Sequence, residues 1–153
     1  MLDIEIIALG KIKTSYWKEA TEEYLKRLKP FVNLKIKELN FTPFSKNNIK
    51  SVREEEGKRI MEAIGKSEGQ VFLLSEDGRK LDSLAFAQTL NKFSFQKIIF
   101  VIAGSLGFSS EIKQKYNSLS LSALTFTHEM ARVIVLEQIY RAVTIINKKS
   151  YHY

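Results

Sequence analysis

No cysteine occurs among the 153 residues, so disulfides and thiolate-held metal sites are both excluded. That absence suits a reducing cytosol. Long apolar runs are missing as well. Ile98 to Ala103 is among the longest, far short of the roughly 20 residues that cross a bilayer as a helix. The first five residues include Asp3 and Glu5 and lack the basic stretch that opens a secretory signal. Low-complexity tracts, internal repeats and Pro/Gly-rich linkers are also absent, which predicts one domain spanning residues 1–153. Together these exclusions predict a soluble, cytoplasmic protein with no membrane contact and no metal. Acidic residues are outnumbered, 17 against 24 lysines and arginines, leaving a net charge of +7. Such a balance favours an anionic partner, although a solvated basic surface would read the same way.

What is present alternates between strand-like and helix-like segments. Ile4–Leu9 is a strand stopped by Gly10. Thr14–Lys29 has helical spacing through Trp17, Ala20, Tyr24 and Leu28, with Pro30 as its stop. Leu34–Leu39 alternates as an edge strand does. Asn48–Ile64 is a charged helix with Val52, Ile60, Met61 and Ile64 inward. Val71–Leu74 is a buried strand ended by Glu76-Asp77-Gly78, and Asp82 is an N-cap for a helix through Leu84 to Leu90. Lys97–Ala103 is another apolar strand. Ser109 or Ser110 caps a short helix reaching Tyr116, Leu119–Leu121 is a last short strand, and a helix runs from Glu129 to about Asn147. This order predicts an α/β fold with a mainly parallel sheet flanked by helices. The last helix is apolar nearly all round through Val133, Ile134, Val135, Leu136 and Ile139. A helix of that kind is buried on all sides, which predicts a second subunit against it.

A few residues stand out as carriers of chemistry. Gly104-x-x-Gly107 follows an apolar strand but lacks both the three-glycine dinucleotide fingerprint and the Walker lysine. Its position matters more than its pattern, because ligands of open α/β sheets sit beyond the carboxyl ends of strands. Leu74 ends another strand and faces the same crevice, or is simply core. His128 and Arg132 lie four apart on one helical face. They suit a proton carrier and an anion clamp; they equally suit a helix-entrance cap and an ordinary ion pair. Glu137 and Arg141 read as an i, i+4 ion pair. The tail Ser150-Tyr151-His152-Tyr153 concentrates aromatics and the second histidine, either to meet a nucleobase or to dock on its own protein.

These residues together resemble one family, the SPOUT-class methyltransferases of large-subunit ribosomal RNA known as RlmH. The likeness runs nearly end to end. It includes Ala8-Leu9-Gly10-Lys11, Tyr16-Trp17, Tyr24 to Leu28, Glu56-Gly57, Ala103-Gly104-Ser105-x-Gly107, Leu121 to Phe126, His128, Arg132, Glu137-Gln138-x-Tyr140-Arg141-Ala142 and Tyr151-His152.

The resemblance implies methyl transfer from S-adenosylmethionine to N3 of a pseudouridine in the intersubunit hairpin of 23S rRNA. It implies action on assembled ribosomes, as a homodimer, and a C-terminal trefoil knot that general rules of topology would not have suggested. Cofactor contacts then fall on Leu74, Ala103, Gly104, Gly107, Leu121, Ser122, Ala123, Leu124, Thr125 and Phe126. Arg132, Tyr151 and His152 would meet the RNA, with His128, or His152 of a partner chain, helping to deprotonate or hold the base. Two positions depart from the family pattern: Ala103 stands where glycine is usual, and Tyr153 ends the chain where a basic residue is usual. Two other readings fit the same surface, a non-enzymatic ribosome-binding or assembly factor and a related knotted tRNA methyltransferase.

Overall fold

The computed structural model describes all residues, 1–153. Five strands form one sheet: β1 (Leu2–Leu9), β2 (Val32–Leu39), β3 (Gln70–Lys80), β4 (Ile98–Ile102) and β5 (Asn117–Ser120). Between and after them run α1 (Ser15–Leu28), α2 (Ile49–Ile64), α3 (Ser83–Lys92), α4 (Ser110–Lys115) and α5 (His128–Ile146). The sheet order is β2-β1-β4-β3-β5, and every neighbouring pair is parallel. No helix is long and apolar enough to cross a membrane.

The strand sequences explain the layering. Successive side chains of a strand point to opposite faces, so a strand buried on both sides reads as a continuous apolar run. Ile4, Ile6 and Ala8 join Phe72, Ile98, Phe100 and Ile102 on one face, under α1, α3 and α5. Ile7 and Leu9 join Val71, Leu73, Ile99 and Val101 on the other, under Ile60 and Ile64 of α2 and Ile112 of α4. β2, at the sheet edge, alternates buried and exposed residues as its sequence indicates. The caps follow the sequence too: Asp82 accepts from the Ala85 amide at 2.7 Å, and Ser109 accepts from the Ile112 amide at 3.5 Å.

Two elements differ from the sequence reading. β3 does not stop at Glu76-Asp77-Gly78; it continues to Lys80, with a register break against β5 between Leu74 and Arg79. The turn-forming residues make an irregularity within a strand instead of its end. The last strand is Asn117–Ser120, shifted from the expected Leu119–Leu121, because pairing with β3 selects it. Within one chain α5 is buried on a single side, through Val135, Leu136, Ile139, Ala142 and Val143, while Val133, Ile134 and Tyr140 stay half-exposed.

Gly78 permits that irregularity. A Cβ placed there would lie 2.6 Å from the Leu119 carbonyl carbon, and backbone on the neighbouring strand cannot swing aside. Gly78→Ala is expected to destabilise the protein by about 2 kcal/mol, in the range of other overpacked sites, measured as a fall in the urea midpoint at unchanged slope.

Candidate active site

The carboxyl ends of β3 and β4 and the segment following β5 enclose a cavity of about 660 Å3. Its walls come from Leu74-Ser75-Glu76, from Ile102 through Phe108, and from Leu121 through Ala131 with Ala123, Glu129 and Met130 left out. The volume lies within the range of small-molecule sites. Leu74, Ile102, Leu121, Leu124 and Phe126 supply apolar walls, while Ser75, Ser105, Ser122, Thr125 and Glu76 bring polar groups to it.

Backbone groups contribute to the walls beside these side chains. The Gly107 amide donates to the Gly104 carbonyl at 3.1 Å, closing a turn that needs the left-handed φ of +70° at Gly107. From Arg53 of α2, Nε donates to the Leu106 carbonyl at 2.9 Å and holds that turn from behind. Across the cavity, residues 122–126 belong to no strand or helix, and none of them makes a backbone-to-backbone hydrogen bond. Only the Leu124 amide and the Ser122 carbonyl have partners there, both from nearby serine hydroxyls. Backbone groups held in place and left unpaired are ready donors and acceptors for a polar ligand.

His128 stands at the mouth, in the first turn of α5. Thr127, not His128, is the N-cap, accepting from the Met130 amide at 3.4 Å. The imidazole Nδ1 is buried without a partner. Gly10 lies against the ring, and a Cβ there would sit 3.0 Å from His128 Cε1 on a backbone already at φ +94°. Next along the chain, the Glu129 carboxylate accepts from Thr14 Oγ1 at 2.8 Å and from the amides of Lys13 and Thr14. Those amides, first that of Lys13, hold its pKa below the usual carboxylate range.

Of the two roles its spacing allowed, Arg132 takes that of an ion-pair partner. The side chain is buried, with Nη1 on Glu38 Oε2 at 2.7 Å and Nη2 on the Gly10 carbonyl at 2.9 Å. Its fork is spent on β2 and on the end of β1, so it anchors α5 and does not reach into the cavity. The tail also turns inward. Tyr151 packs edge-on against Tyr140 at 4.8 Å, and its hydroxyl donates to Glu137 Oε1 at 3.2 Å. Burial, then the Tyr24 hydroxyl and the Glu137 charge, raise the Tyr151 pKa. His152 Nδ1 lies 3.3 Å from Arg141 Nη1, and Arg141 is paired to Glu137 at 2.6 Å as its spacing indicated. About 20 Å of helix separates His128 from Arg141. Within one chain, therefore, His128 and His152 belong to opposite ends of α5.

Ten of the residues singled out in the sequence line the cavity: Leu74, Ala103, Gly104, Gly107, Leu121, Ser122, Leu124, Thr125, Phe126 and His128. Ala123 is exposed and turned away from it, and Arg132, Tyr151 and His152 lie elsewhere. Glu76 is the chemically notable residue that sequence reasoning missed. It looked like part of a turn; with β3 continuing through it, it stands among the residues lining the cavity.

The family model described as predicted SPOUT methyltransferase matches residues 2–152. This chain belongs to that family. Among curated proteins, the ribosomal RNA large subunit methyltransferase H of Kosmotoga olearia is 39% identical, covering 99% of this chain and 100% of its own length. A methyltransferase of the SPOUT class needs a methyl-donor pocket. The cavity's apolar walls, unpaired backbone and polar lining residues fit an adenosyl group with ribose hydroxyls. No group of three or more carboxylate or imidazole side chains is arranged to hold a metal ion.

Beneath the Gly104 turn, Glu56 is a buried carboxyl, 4% exposed. Its Oε2 accepts from the Thr42 amide at 3.4 Å and lies 3.9 Å from where a Gly104 Cβ would be. Burial raises its pKa above the ordinary value. A carboxyl whose folded-state pKa is raised makes the protein gain stability as pH falls through that value, and carries a cost above it. Glu56→Gln is expected to be more stable than wild type at pH 8, with the gap closing toward pH 5. Urea unfolding across that range measures it; a gap that widens on acidification would reverse the sign.

Proposed function

We propose that this protein transfers a methyl group from S-adenosylmethionine to N3 of a pseudouridine in the intersubunit hairpin of large-subunit ribosomal RNA, acting on assembled ribosomes in the cytoplasm. One observation carries the reading: three backbone edges at the carboxyl end of a parallel sheet enclose a ligand-sized cavity with His128 at its mouth. Family membership, the name of the Kosmotoga relative and the net charge of +7 support it.

S-adenosylmethionine supplies an electrophilic methyl carbon, so neither a metal nor a covalent enzyme intermediate is required. Leu74, the Ala103–Gly107 turn and residues 121–126 would hold it. What the chain must add is alignment of the base and removal of the N3 proton. Holding the reacting atoms in line contributes several kcal/mol toward the barrier, at the lower end of what well-oriented intramolecular reactions reach. His128 Nε2 makes no hydrogen bond and is not buried, so it is free to take or position that proton. Arg132 acts indirectly, by fixing the first turn of α5. Ala103 stands at the cavity wall with its methyl group, a modest narrowing where the family usually has glycine.

The active unit is a homodimer in this reading. The half-exposed Val133, Ile134 and Tyr140 give α5 an apolar face for a second copy. His152 would then reach the cavity of the partner, which its own chain's geometry forbids. We also propose that the chain is knotted in its C-terminal third, since residues 121–127 cross from β5, at one edge of the sheet, over β3 and β4 to reach α5.

Labelled S-adenosylmethionine incubated with intact ribosomes, separated subunits and naked rRNA tests the substrate. Label on one N3-methylated pseudouridine, strongest with intact ribosomes, is expected; label confined to tRNA or none at all would overturn the reading. Site sharing has its own test. His128→Ala and His152→Ala are each expected to lose at least tenfold in single-turnover rate. Mixed in equal amounts and reassembled, they should recover about a quarter of wild-type activity, because half the dimers then carry one intact composite site. Full activity of both single variants would remove the histidines from the mechanism.

A further inference from the structure

Away from the cavity wall, two loops form a surface that the reaction does not explain. They follow β1 and β2, at the same end of the sheet as the cavity. Phe41 and Phe44 project from the second loop, 53% and 47% exposed. Single exposed aromatics are ordinary on protein surfaces. Two within four residues, on an anchored segment, are not. Arg59 of α2 donates to the Asn40 carbonyl and to Thr42 Oγ1, and Glu56 accepts from the Thr42 amide. The backbone that carries the rings is thus held rigidly while the rings face solvent.

Charge distinguishes this surface further. No aspartate or glutamate occurs between Ile6 and Lys18 or between Leu39 and Arg53, whereas Lys11, Lys13, Lys46 and Lys50 do. None of these four lysines is in an ion pair. Lys13 Nζ lies 6.0 Å from the centre of the Phe41 ring, joining the two loops. The same residue's amide is bound by Glu129, beside His128, so the patch adjoins the mouth of the cavity.

We propose that Phe41 and Phe44, with Lys11, Lys13, Lys46 and Lys50, form a landing platform for unpaired nucleotides of the RNA substrate, the rings stacking on bases and the lysines neutralising flanking phosphates. This rests on the RNA methyltransferase reading above and gives it a docking surface. Sequence-tolerant stacking on aromatics beside a cationic groove is how single-stranded nucleic acid is held. Charge argues against a second copy as the occupant: a two-fold contact through this face would set lysines against the same lysines.

The test compares wild type with Phe41→Ala/Phe44→Ala in steady-state methylation of intact ribosomes, alongside binding of a fluorescein-labelled hairpin RNA with an unpaired loop. Phe95→Ala is the control, since Phe95 is 81% exposed and precedes β4 at the opposite end of the sheet. The double variant is expected to raise KM for ribosomes and Kd for the hairpin at least tenfold, the size of losing one to two stacked bases. Its calorimetric affinity for S-adenosylmethionine and its solution mass should match wild type. Lys46→Gln/Lys50→Gln should reduce the slope of log affinity against log salt by about 1.4, two phosphate contacts' worth for single-stranded RNA. Unchanged KM and Kd, or a change in subunit mass, would overturn the platform. If wild type binds the hairpin through these rings but transfers no methyl group, the methyltransferase reading fails and the platform stands.

Discussion

Arg132 ties the two ends of this fold together. Its guanidinium binds Glu38 and the carbonyl of Gly10, at the carboxyl ends of β2 and β1, while its own backbone lies in the second turn of α5. β5 lies at the far edge of the sheet, beyond β4 and β3. Strands are spaced about 4.8 Å apart, so the chain leaving β5 must cross roughly 14 Å to reach that anchor. Seven residues, 121–127, make the crossing, and an extended segment of that length reaches about 24 Å at most. They therefore cross the ends of β3 and β4 with length to spare, and the chain bends at Ala123 and Leu124 on the way. The cavity is the space beneath this crossing.

The same crossing explains why free backbone lines one side of the site. The segment passes over strand ends and joins neither helix nor sheet. Its amides and carbonyls are left without backbone partners, a costly condition unless water or a ligand supplies them. Opposite it, the Gly104–Gly107 turn is braced by Arg53, and Glu56 lies buried beneath. That turn is thus braced before any ligand arrives, which lowers the ordering cost of binding. Burial of Arg132 has its own cost, since Nε finds no partner.

Much of this was legible in the residues because it follows from local periodicity. The continuous apolar runs of β1, β3 and β4 announce strands covered on both faces, and Asp82 and Ser109 mark helix starts through side-chain geometry. The cavity wall was legible through likeness to a known family, not through spacing. What could not be read depends on long-range pairing. Gly78 looks like a turn until β5 pairs beside it. Glu76 becomes a cavity residue only because β3 continues. Arg132 and His128 share a helical face, yet that face spans both the cavity mouth and the ends of β1 and β2, so equal spacing leads to unequal roles. The tail's aromatic residues suited a nucleobase or the protein itself; in one chain Tyr140, Glu137 and Arg141 take up Tyr151 and His152, and Tyr153 is exposed.

Amide hydrogen exchange with and without S-adenosylmethionine probes the crossing most directly. Slowed exchange is predicted in two separate segments, residues 103–108 and 121–128, with the remaining strands unchanged. Protection of neither segment at saturating donor, or protection centred on another part of the sheet, would contradict the view that the crossing and the braced turn together form the site.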